Sequence, residues 1–191
     1  TALFTALTVS QWSKADPIKQ AAILADPTSV ILGGGLFLSQ LAVCVLGVLV
    51  IAGEYASGTI RASLLAVPTR SPVLAAKALV FAGVVFVVGE LAVFPSFFLG
   101  AAIMRQKVAV SLTDPGVLRA VIGGGLYLAV LGVFAVAIGA LVRHTAGGIT
   151  GIIGFVLVLA PLASLLPGSI GHDVHAFLPS EAGQLISYAH R

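Results

Sequence analysis

Charged side chains are what this sequence has least of. Asp, Glu, Lys and Arg make up 9% of its 191 residues, where soluble domains carry about a quarter. Together with 59% hydrophobic residues and a mean hydropathy of +1.12, that shortage excludes an ordinary soluble domain. Cysteine is nearly absent: Cys44 stands alone inside an apolar run, so an intrachain disulfide is excluded and the redox compartment goes unread. No stretch alternates polar and apolar residues with period two, which argues against a transmembrane barrel. A net charge of +3 would suit nucleic acid, but the basic residues are scattered and no stacking aromatics accompany them. Nucleic acid is therefore not an expected partner. No secretory signal with a charged start and a cleavage site is visible.

What the sequence has in abundance is long apolar runs. Charge-free runs extend from Pro27 to Gly53, from Ala120 to Val142 and from Thr145 to Gly171, and a run from Ala78 to Met104 is broken only by Glu90. Each exceeds the ~20 residues that a helix needs to cross a bilayer. The expectation is an all-α polytopic membrane protein, one transmembrane domain over 1–191, with four complete spans at 29–52, 72–98, 117–142 and 145–166. The chain opens on Thr1, and Ala2 to Val9 reads as the tail of an earlier span. Residues 1–28 are then the end of that span and an external loop, with Trp12 at the interface. Residues 105–116 and 168–191 are further external loops.

The densest polar stretch between two runs is Glu54 to Lys77. At helical spacing Ala56, Ile60, Leu64 and Val67 share one face, while Glu54, Ser57 and Arg61 share another. This predicts an amphipathic helix over 54–67 lying in the membrane interface. Pro68 stops it, and Ser71 with Pro72 opens the next span as N-cap and first helical residue. Asp114 and Pro115 form a second such pair. Pro95 is expected to interrupt its helix, Pro161 to kink the fourth span and Pro167 to end it.

Few residues inside the spans are chemically distinctive. Ser39 and Gln40 are polar at a depth where they should face protein or a water-filled path, either as a helix-to-helix hydrogen bond or as part of a substrate route. Glu90 lies roughly 20 Å along the helix from Lys77. It is either a functional intramembrane acid, protonated or paired with a base, or a hydrated group at the far rim. Gly147, Gly151 and Gly154 offer a small-residue surface for helix packing. Gly33 to Gly35 lacks the Lys-Ser/Thr of a phosphate loop, so no ATP site is encoded and no cofactor is expected. The same triplet recurs at Gly123 to Gly125, either as a parallel repeat or as chance likeness between Gly-rich helices. His144 reads as a solvated cap. In the tail, His172, Asp173, His175 and Glu181 lack a fixed ligand set, so no metal site is expected.

Glu54, Gly58, Thr59, Arg61, Leu64, Pro68, Arg70 and Lys77 together resemble the Glu-x-x-x-Gly-Thr-x-Arg, Leu, Pro, Arg, Lys pattern that follows the second span in permeases of type-2 ATP-binding-cassette (ABC) exporters. The order of spans from about Ser29 to about Leu166 is similar too. The resemblance implies a fragment of a six-helix permease whose 54–67 segment is a cytoplasmic coupling helix docking on a separate ATPase subunit. It implies a second permease copy, identical or similar, and location in the plasma membrane. Runs of Ala, Val, Leu and Gly suit a bacterial inner membrane. On that basis Glu54, Gly58, Thr59 and Arg61 are the ATPase-coupling residues, and Arg70, Lys77 and Arg143 are anchors to lipid headgroups. The chain itself is then not an enzyme.

Charge counting disagrees about orientation. Arg61, Arg70, Lys77 and Arg143 lie on the side of the Glu54 to Lys77 stretch, against Lys14, Lys19, Arg105, Lys107, Arg119 and Arg191 on the other. The positive-inside rule alone thus places Glu54 to Lys77 outside, whereas the resemblance places it inside. The resulting expectation is an exporter permease moving an amphipathic or lipid-like cargo. The alternatives are a proton-coupled secondary carrier centred on Glu90 and a membrane enzyme centred on the His-bearing tail.

Overall fold

The computed structural model describes residues 26–60, 70–105, 110–114 and 116–159, with a few isolated positions outside these ranges. The expected features at Trp12, Arg61, Leu64, Val67, Pro68, Lys107 and Pro115, at Pro161 and Pro167, and in the tail with His172, Asp173, His175 and Glu181 lie outside the described residues.

Four α-helices follow one another: α1 (Pro27–Ser57), α2 (Arg70–Met104), α3 (Val117–Val142) and α4 (Thr145–Gly154), the last continued by a π-helical turn over Phe155–Leu159. There is no strand among the described residues. Ile31–Ser57, Ser71–Met104 and Val117–Val142 are each long and apolar enough to cross a membrane, since even the shortest extends ~39 Å against a hydrocarbon core of about 30 Å. The protein is an all-α membrane protein. The described part of the fourth apolar helix, Thr145–Val158, is shorter than a span.

Several boundaries differ from the expected ones for local physical reasons. Helix α1 continues past Ala52 through Glu54 to Ser57, because nothing in Glu54-Tyr55-Ala56-Ser57 opposes a helix. The break waits for Gly58, whose φ of 76° is left-handed and free of steric cost only for glycine. Helix α2 starts at Arg70, so Ser71 and Pro72 lie inside its first turn rather than at its cap. It also runs unbroken through Pro95 to Met104. Proline is tolerated in a membrane helix where neighbouring groups and local backbone adjustment re-satisfy the carbonyl it frees. Asp114 does not cap α3: its carboxylate accepts the Ser111 N–H at 2.8 Å and closes the preceding turn. Gly116 (φ 84°) takes the capping place, its carbonyl accepting the Ala120 N–H at 2.9 Å.

The helices are shared between two compact units. One takes α1 as far as Ser39, α2 from Val87 and α3 as far as Tyr127; the other takes α1 from Gln40, α2 as far as Phe86, α3 from Leu128 and α4. In the first unit Ile31, Leu36, Val93, Phe97 and Val121 are buried. Ile31 lies against Gly100 of α2, and Leu36 comes within 3.3 Å of where a Cβ of Gly124 would stand.

The second unit is drawn together by glycines on α1 and α3. A methyl on Gly139 would come within 3.1 Å of Val48 Cα and 2.6 Å of Ile51 Cγ2, and one on Gly47 within 2.7 Å of Ala135 Cβ. Backbones this close leave no room for a side chain, the packing expected where dispersion rather than water drives association. Phe81 of α2 fills the adjoining space beside Gly47 and Gly132. Phe134 and Phe155 join α3 to the π-helical turn at 5.1 Å between ring centroids.

Candidate functional site

Among the described residues, two acids stand within apolar helices, one in each unit. In the second unit, the last turn of α1 and the second turn of α2 are tied by an ion pair: Lys77 Nζ donates to Glu54 Oε1 at 2.5 Å, with both side chains about a quarter exposed. Glu54 Oε2 is enclosed and has no hydrogen-bond partner among the described residues. One oxygen of Glu54 is thus taken up by Lys77 and the other is covered. Beyond it, the Ser57 and Thr59 hydroxyls lie 2.8 Å apart across the Gly58 bend, exposed to solvent. The 58–69 connector therefore springs from a braced base.

Arg143 belongs to the same polar cluster. Its guanidinium stands over the Tyr55 ring, 5.7 Å from the centroid, within cation–π range. It holds a left-handed backbone (φ 55°), uncommon outside glycine. Its N–H still bonds Gly139 O at 2.9 Å, closing α3, and the next residue, His144, is extended and accepts the Gly147 N–H on Nδ1 at 3.3 Å. The expected capping role of His144 is realised. Arg143 and His144 thus form a two-residue reversal from α3 into α4. Beside the ion pair, Val50, Ala76, the stem of Lys77, Val80, Phe81 and Val84 line an apolar groove of about 370 Å³.

In the first unit stands Glu90. Both carboxylate oxygens are enclosed, and neither has a hydrogen-bond partner among the described residues. The carboxyl lies against Gly125 of α3, where it occupies the space a Cβ would need. Because α2 runs to Met104, Glu90 falls near the middle of the Ser71–Met104 span rather than at its rim.

No family model, curated protein or solved structure matches the chain. The likeness to exporter permeases rests on the sequence motif alone.

The remaining expected residues fall as follows. Gln40 is buried, 4% exposed, and Ser39 is half-buried. Arg70 lies in the first turn of α2. On α4 the residue that meets α1 is Gly148, where a methyl would come within 2.6 Å of Val48 Cγ1. Gly151 has one neighbouring atom at 4.0 Å, Gly154 has none within that distance, and Gly147 faces its own capping turn. The Gly33–35 and Gly123–125 triplets also differ in surroundings: Gly33 faces open space, whereas Gly125 meets Glu90. Sequence reasoning singled out Glu54 and Lys77 but not their pairing, and it missed Gly47, Gly132 and Gly139 as packing residues. Spacing holds the signal for the glycines, since Gly132 and Gly139 lie seven apart, two turns on one face. No group of three or more metal-binding side chains occurs among the described residues.

Proposed function

We propose that the chain is the membrane-spanning permease subunit of an ATP-driven ABC exporter, part of a six-helix unit that pairs with a second copy or a similar chain. The fourth span would be completed by residues 160–166. A separate cytoplasmic ATPase subunit would supply the energy, so this chain would catalyse no reaction itself. The observation that carries the reading is the connector after α1: the Glu54 to Lys77 motif sits between two apolar helices, and its first and last members are joined as an ion pair.

A brace of this kind suits force transmission. ATPase closure would push on the connector, and the pair would pass the push to α1 and α2 together rather than letting the loop flex. The spans would then tilt and alternate the side to which the cargo path opens. Thr59 and Arg61 would be the contacts to the ATPase, with Gly58 permitting the bend; Glu54 would position them through Lys77. Arg70 and Arg143 would meet lipid headgroups. An amphipathic or lipid-like cargo and a bacterial inner membrane fit the apolar spans. A proton-coupled carrier is the second reading, and Glu90, which has no hydrogen-bond partner among the described residues, favours it.

Affinity recovery of the full-length protein from native membranes tests the exporter reading, comparing wild type with the double variant Glu54→Ala, Arg61→Ala. An ATPase subunit recovered with wild type and depleted with the variant is the expected result. Absence of any ATPase with wild type, under conditions that keep such complexes intact, would end the reading in favour of a gradient-driven carrier.

A further inference from the structure

We propose that Glu90 is a cation-exchange site within the membrane, neutralised by a proton in the state described and able to trade that proton for the positively charged head of an amphiphilic cargo. The assignment of the cation to a cargo rests on the exporter reading; the exchange itself belongs to this chain.

Three observations carry it. First, the carboxyl has both oxygens enclosed and no partner among the described residues. An isolated carboxylate in such surroundings is costly, so the group is stable only as the neutral acid or beside a cation. Second, no described residue supplies that cation. The unit's share of α1, Pro27–Ser39, has no charged residue, its share of α2 has none besides Glu90, and Arg105 follows just after that helix ends. On α3 its titratable side chains are Arg119 and Tyr127, six residues before and two after Gly125, and neither hydrogen-bonds a Glu90 oxygen. Asp26 and Asp114, outside the helices, are acids themselves. Third, the place is made for the acid: Gly125 on α3 leaves the space that the carboxyl occupies. An acid that only had to be tolerated would not require a missing side chain on the facing helix.

The exchange balances simply. The carboxyl O–H bond breaks, its proton leaves to water, and the carboxylate forms an ion pair with the incoming cation; no covalent bond to the cation is made. An acid within an apolar span selects for a cation whose charge sits on a hydrophobic body, because such a cation costs less to bring out of water. Phosphonium or quaternary ammonium groups carry such a charge with no proton of their own.

The test uses purified full-length protein in detergent and tetraphenylphosphonium as the probe, following binding by calorimetry and proton release with a pH-sensitive dye in weak buffer. Wild type should bind and release up to one proton per cation, while Glu90→Gln should release none and bind roughly tenfold or more weakly. No binding by wild type, or binding and proton release unchanged in Glu90→Gln, would overturn the proposal. Should Glu90→Gln fail to fold, wild type alone decides the matter. Dicyclohexylcarbodiimide, which attacks protonated carboxyls in apolar sites, should modify Glu90 as read by peptide mass, and tetraphenylphosphonium should protect it. Absence of modification, or modification indifferent to the cation, counts against the site. These outcomes are independent of ATPase recovery. Failure to recover an ATPase while exchange persists removes the exporter, and recovery without exchange removes only this site.

Discussion

Glu54 and Glu90 are both acids within apolar helices, and the molecule treats them differently. Glu54, near the end of α1, has a lysine at 2.5 Å; Glu90, near the middle of α2, has no partner among the described residues and a glycine across from it. A paired acid at a helix end braces two elements. An acid at depth with no such partner is costly to hold in its charged form.

The contrast is broken most severely by making Glu54 resemble Glu90. Lys77→Ala strands a half-buried carboxylate and should destabilise the protein by about 2 kcal/mol, the range for a fully buried pair being discounted for partial exposure. Denaturant or thermal unfolding in detergent measures it. Removing both charges with Glu54→Gln and Lys77→Gln should restore about half of that loss, since no orphan charge is left. Gly125→Ala attacks the other side of the comparison. Its methyl collides with the Glu90 carboxyl and should cost about 1 kcal/mol, most of it recovered when Glu90→Ala is added. The smallest effect belongs to Glu90→Gln, under about 1 kcal/mol, because no ion pair is lost. A loss as large as that of Lys77→Ala would mean that Glu90 does have a partner.

The apolar runs made the membrane-spanning helices legible, because length and hydropathy alone decide whether a helix can cross a bilayer. Their ends were less so. Asp114-Pro115 looks like a helix start, yet the Asp114 carboxylate is taken by Ser111 and the helix waits for Gly116. Pro95 looks like an interruption, yet the helix continues, since local adjustment in a membrane helix can re-satisfy the carbonyl that proline frees. Side-chain pairing was not readable either. Glu54 and Lys77 are 23 residues apart, and only the antiparallel course of α1 and α2 brings them together. On α4, Gly147 and Gly148 are adjacent, and the rotation of the helix about its axis, which spacing does not reveal, decides which of them meets α1. Glu90 stood out as an acid in an apolar run, but its facing glycine lies 35 positions away and carries no sequence mark of the contact.

The exporter account depends most directly on the side of the membrane that the Gly58–Thr59 bend occupies, which charge counting and the family motif place oppositely. Thr59 is exposed, while Cys44, the only native thiol, is fully buried. Thr59→Cys therefore gives a single reactive site for a membrane-impermeant maleimide, with wild type as the background control. The account predicts labelling in inside-out vesicles and none in right-side-out ones. Labelling from the outer face would contradict it, because no cytoplasmic ATPase could then reach the connector.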